Sequence, residues 1–195
     1  PHREALEGAR IREEALAGYR TALHEPSLRT LLVVLTGCKL VEGAIDTLIV
    51  LVALDELGLA ESGVGYLNAA WAVGGIGGMV VALGLLHRGR LAVGLTLGAL
   101  LIGVALLVLA AFDTLAAALA ALLVVGVGYA LVESAGETLM QRLSSDAVLA
   151  RVFGALEGSY LAAAGIGGAL APVLSALLGI GGALVRHAIT RARAM

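Results

Sequence analysis

Apolar residues fill this chain in long runs, broken at intervals by short polar stretches. Five runs are long enough to cross a bilayer, at about 28–57, 63–86, 91–112, 115–140 and 153–178, since a spanning helix needs about 20 apolar residues. The second holds no charge, and the third is the cleanest, with Leu, Ile, Val or Phe at 13 of its 22 positions. Ahead of them, residues 2–25 mix Arg, acids and Ala. There Ala5, Ala9, Leu16, Tyr19 and Leu23 recur at helical spacing, which predicts an amphipathic helix on a membrane surface. Pro26 is expected to close that helix and Ser27 to cap the next. The pattern predicts an all-α polytopic membrane protein. Residues 1–26 form a cytoplasmic linker helix, 27–180 a transmembrane bundle and 181–195 a basic tail.

Composition removes the soluble alternatives. Hydrophobic residues make up 59% and charged residues 14%, against about 45–50% and about 25% in soluble domains. Mean hydropathy is +0.97. Thirteen Lys and Arg against 15 Asp and Glu leave a net charge of −2, with no basic face for nucleic acid. A lone cysteine, Cys38, excludes an internal disulfide or a thiolate cage. No enzyme is expected, and no cofactor or metal: His2, His24, His87 and His187 lie in terminal or loop segments, without H-E-x-x-H or G-x-S-x-G. The Gly-Ile-Gly-Gly runs at 75–78, 165–168 and 179–182 lack the context of a phosphate loop. They are read as packing sites, with Gly74-x-x-x-Gly78 and Gly94-x-x-x-Gly98 as pairs for close helix approach.

Arginine placement sets the expected orientation. Arg20 and Arg29 precede the first run, Arg88 and Arg90 join the second and third, and Arg142 and Arg151 join the fourth and fifth. The alternate loops carry Glu61 or Asp113 and no Lys or Arg. The N-terminal segment is therefore expected in the cytoplasm. Arg186, Arg191 and Arg193 then fall on the wrong side after five crossings, so either a sixth span is lost, which is favoured, or the tail re-enters; with a chain beginning at Pro1 this predicts a fragment or a processed product.

Ionisable residues inside the runs are the candidate chemistry, because a charge at the bilayer centre costs about 2.5–3.5 kcal/mol and must face protein or water. Lys39, Glu42 and Asp46 share one helix face by spacings of 3 and 4. They line a solute or ion path, or Lys39 and Glu42 form an internal salt bridge that neutralises a buried helix. Glu133 and Glu137 stand one turn apart, and mutual repulsion suits a proton site; alternatively both meet water or Arg142 near the membrane surface. Lys39 lies nine residues beyond Thr30 and Glu133 eight before Gln141, depths of about 13 and 12 Å, so the two are expected to approach each other. Asn68 is expected to bond a neighbouring helix or to touch substrate, and Glu157 to form an end-of-helix ion pair with Arg142 or Arg151 or to act as a ligand.

Three stretches carry a family resemblance: GVGYLNAAWAVGGIGG, the loop Gly84-Leu85-Leu86-His87-Arg88-Gly89-Arg90, and LMQRLSSDAVLARVFGALEGS. Together they resemble the C-terminal half of a major facilitator superfamily transporter, from the linker helix through helices seven to eleven. The loop is similar to the family's G-x-x-x-D-R-x-G-R-R signature, with the Asp absent and Arg88-x-Arg90 retained. VEGAIDTL with QRLSSDAVLARVFGALEG is similar to bacterial members bearing an appended cyclic-nucleotide-binding domain. The resemblance implies half of a major-facilitator bundle in a bacterial inner membrane. It also implies secondary transport of a small solute, with protons as a coupling ion and an N-terminal half as partner. On that basis Arg88, Arg90, Asp146 and Arg151 belong to gating loops, and the first and fourth runs line the cavity while the third faces lipid. The rival function is a non-transporting sensor or assembly module with structural charges.

Overall fold

The structure, a computed structural model, describes residues 18–57, 59, 61–112 and 114–193. Every described element is helical. After a helical stretch over 18–24 come α1 (Pro26–Leu51), a π-turn (Val52–Glu56), α2 (Glu61–His87), α3 (Leu91–Ala111), α4 (Leu115–Leu143) and α5 (Asp146–Arg193). The five helices lie on the five apolar runs. Residues 1–17, most of the expected surface helix, lie outside the described residues. The 18–24 stretch docks on α5, where the Tyr19 hydroxyl bonds Ser159 Oγ at 2.8 Å.

Helix ends follow local chemistry. The 18–24 stretch ends just before Pro26, as expected, and Pro26 also starts α1, so that Glu25 and not Ser27 stands at its N-cap; proline's fixed φ and missing N–H suit a first helical position. Gly89 adopts φ 65°, the only positive φ among the described residues, and lets α2 turn into α3 within three residues. Thr114 caps α4, its hydroxyl accepting from Ala117 N at 3.3 Å.

Five spans were expected, and three described helices are long and apolar enough to cross a membrane: α2, α3 and α4. Lys39, Glu42 and Asp46 interrupt α1, while Glu157, Ser159 and repeated glycines dilute the described stretch of α5. Of the most apolar stretch of each qualifying helix, 17% is buried in α2, 28% in α3 and 56% in α4, which makes α4 the central helix. α3 buries a single stripe, Leu91, Gly94, Gly98, Ile102 and Ala105, and turns Leu100, Val104 and Leu107 outward, a surface suited to lipid.

Small residues set the crossings. A methyl on Gly98 would lie 2.6 Å from Gly128 O, and one on Gly78 2.7 Å from Val127 O, so α2 and α3 press on α4 backbone to backbone. Gly74 and Gly94 pack likewise, against Leu123 and Ala135, as their spacing predicts. α1 and α5 cross as tightly: a methyl on Gly167 would overlap Leu40 O, and one on Gly43 would overlap Ala164 O. Since lipid tails are as apolar as leucine, such contacts contribute dispersion rather than a hydrophobic gain. The bundle is thus an α2–α3–α4 trio and an α1–α5 pair, joined along α1 and α4.

Candidate functional site

The seam between α1 and α4 holds the polar centre, and three contacts set its antiparallel register. Leu35 of α1 fills the space where a side chain on Gly136 of α4 would stand. Further along, the Tyr129 hydroxyl of α4 donates to Cys38 O of α1 at 2.9 Å, and its ring meets Trp71 of α2 at 5.8 Å between centroids. Between these contacts the two helices stand close enough for side chains to bridge them. Lys39 does so, pairing with Glu133 across the seam and with Glu42 Oε2 on its own helix at 2.8 Å. The depth argument therefore places this pair correctly, and both proposed partners of Lys39 are engaged at once. α5 supplies a third wall, with the Tyr160 ring centroid 5.3 Å from Lys39 Nζ.

These side chains are neither fully buried nor unpaired: Lys39 is 20% exposed, Glu42 26% and Glu133 35%. Among the described residues Lys39 makes the only ion pairs.

The remaining candidates do not join the cluster. Asp46 is exposed and unpaired, because seven residues of helix carry it about 10 Å along the axis from Lys39. Glu137 is half-buried, one turn from Glu133 and without an ion pair. Arg88, Arg90 and Arg151 are exposed at helix ends with no ion pair among the described residues; Asp146 begins α5 and its side chain is outside the description. Two expected contacts do not form among the described residues. Asn68 Nδ2 donates to Val64 O of its own helix at 3.0 Å, because its exposed side offers no neighbour. Glu157 is exposed and pairs with neither Arg142 nor Arg151.

The sequence reading missed Tyr129 and Tyr160. A signal was present: both tyrosines sit inside apolar runs rather than at the membrane surface, where tyrosines concentrate. No group of three or more His, Cys, Asp or Glu among the described residues has the arrangement to hold a metal ion. Comparisons with protein-family models, with curated proteins and with solved structures each return no match.

Proposed function

We propose that this chain is the solute-handling half of a secondary transporter in a bacterial inner membrane, its α1–α4 seam lining an aqueous cavity that a second half closes. The observation that carries this reading is the Lys39 cluster: three charged side chains on two helices, partly open to solvent, in a bundle whose other helices turn apolar surface outward. Intramembrane charges of this kind face water or protein and mark ion and solute paths. α1 and α5 then cross the membrane as polar, shielded helices beside the three apolar ones. The resemblance to a major facilitator half agrees with that division, since it assigns the cavity to the first and fourth helices and lipid to the third. Exposed arginines at the ends of α2 and α4 and the starts of α1 and α5 support a cytoplasmic placement of that side. Glu133 and Glu137, one turn apart, are the groups that would exchange protons with the cavity.

One observation favours the rival structural module. Lys39 already satisfies two carboxylates, as a purely internal bridge would. Thiol labelling in membranes separates the two. In a Cys38→Ala background, Glu42→Cys, Asp46→Cys and Glu133→Cys should react with a membrane-impermeant maleimide, while Val104→Cys on the outward face of α3 should not. Equal protection at all four positions would refute the cavity and leave the charges structural.

A further inference from the structure

We infer that the Lys39 cluster recognises a primary ammonium group, and that the solute is a small cationic amine which displaces Lys39 from Glu133; this rests on the cavity-lining reading above. The cluster already displays the complex. Lys39 Nζ is an ammonium ion held by Glu42 Oε2 at 2.8 Å, by Glu133 and by the face of Tyr160 at 5.3 Å. Two carboxylates and an aromatic face are the set by which proteins bind such a cation. The occupant is tethered, though on a flexible four-carbon stem, so its head group can withdraw without moving the backbone.

Charge gives the polarity of the solute. The seam sets Glu42 and Glu133 against Lys39, two carboxylates against one ammonium, with Glu137 one turn from Glu133. An anion taking the place of the Lys39 head group would face those carboxylates, whereas a cation pairs with them. A divalent metal fits poorly, because hard cations need six or more oxygens converging on one point, and no metal-holding group occurs among the described residues. An ammonium needs only a few acceptors and a ring.

Tyr160 supplies the independent sign of a missing partner. It is 7% exposed, yet its hydroxyl makes no hydrogen bond. Buried hydroxyls are nearly always paired, and a solute bearing a polar group beside its ammonium would pair this one.

The sole tryptophan provides the readout. Trp71 stacks on Tyr129, whose hydroxyl bonds the backbone of Cys38, next to Lys39. The full chain in nanodiscs is titrated with propylammonium while Trp71 fluorescence is followed, with propanol and propionate as neutral and anionic controls. Wild type should respond saturably to propylammonium alone. Lys39→Ala, which removes the tethered competitor, should tighten binding at least tenfold, whereas a merely structural lysine predicts loss. Glu133→Gln should weaken binding at least tenfold, and Tyr160→Phe, which keeps the ring, severalfold for ethanolamine and little for propylammonium. Lys39→Gln serves as a second variant if Lys39→Ala does not fold. No saturable response in wild type, or equal responses to propylammonium and propanol, overturns the ammonium site. If the thiol probes find the cluster wet and propylammonium fails to bind, this inference falls alone; if they find it dry, both fall.

Discussion

Two glycines two residues apart on α5 should respond in opposite directions to the same added methyl group. Gly165 has nothing within 4 Å of the place its Cβ would occupy, while a Cβ on Gly167 would overlap Leu40 O and stand 3.0 Å from Ala44 N. Both replacements by alanine gain about 1 kcal/mol of helix propensity, a contribution that cancels between them. Gly167→Ala must also push the α1 and α5 backbones apart, and forcing a methyl into a packed site costs roughly 1–3 kcal/mol. The variants should therefore differ by about 1–3 kcal/mol, with Gly165→Ala at or above wild type and Gly167→Ala below it. The separation also draws Tyr160 away from Lys39, because both residues lie on the helices that move. Equilibrium unfolding in mixed detergent micelles measures the difference, followed by Trp71 fluorescence and by circular dichroism. Equal stability of the two variants would show that α1 and α5 do not cross at Gly43 and Gly167, and with that the third wall of the cluster would go.

Replacing Lys39 and Glu133 singly and together should reveal a coupling of about 1 kcal/mol in a double-mutant cycle of stability; additive effects would mean that the pair does not form. Tyr129→Phe should cost about 1 kcal/mol by removing the hydroxyl's bond to Cys38 O across the seam, and should shift Trp71 emission through the ring it touches. Leu100→Arg, on the outward face at the middle of α3, should lower membrane insertion by about 2.5–3.5 kcal/mol, as read from the inserted fraction in microsomes, while Arg90→Ala should leave insertion unchanged.

Much of the helical framework was legible because periodicity and apolar length are local properties. The ends of α2, α3 and α4 fall within three residues of the expected runs, and the glycine pairs on α2 and α3 pack where their spacing implied. Depth counting also located Lys39 opposite Glu133, since helix rise is constant. Contacts between distant helices were harder to see. Nothing near Tyr160 announces that α5 will lay its ring beside Lys39, because the crossing that brings it there depends on Gly43 and Gly167, 124 residues apart in sequence. Asn68 shows the converse error. A polar residue in an apolar run suggests a partner helix, yet it turned to its own backbone on a face that has no neighbour. Asp46 shares a stripe with Lys39 by spacing, and the rise of the helix carries it out of reach.

The pairing of the first long helix with the last has a consequence for synthesis. The ribosome releases α1 about 95 residues before α5 begins, the distance from Leu51 to Asp146. At 5–20 residues per second that is an interval of roughly 5–20 s. On the transporter reading proposed above, α1, interrupted by Lys39, Glu42 and Asp46, waits beside the translocon during it, while α2, α3 and α4 emerge and assemble on one another. α4 brings Glu133 before α5 emerges, so the seam forms before the α1–α5 crossing, and Lys39, already beside Glu42, gains its second carboxylate then. A nascent chain arrested before residue 115 should therefore leave α1 extractable at high pH, and one arrested after residue 145 should hold it. The order of the helices along the chain makes α1 the segment most dependent on an insertion chaperone.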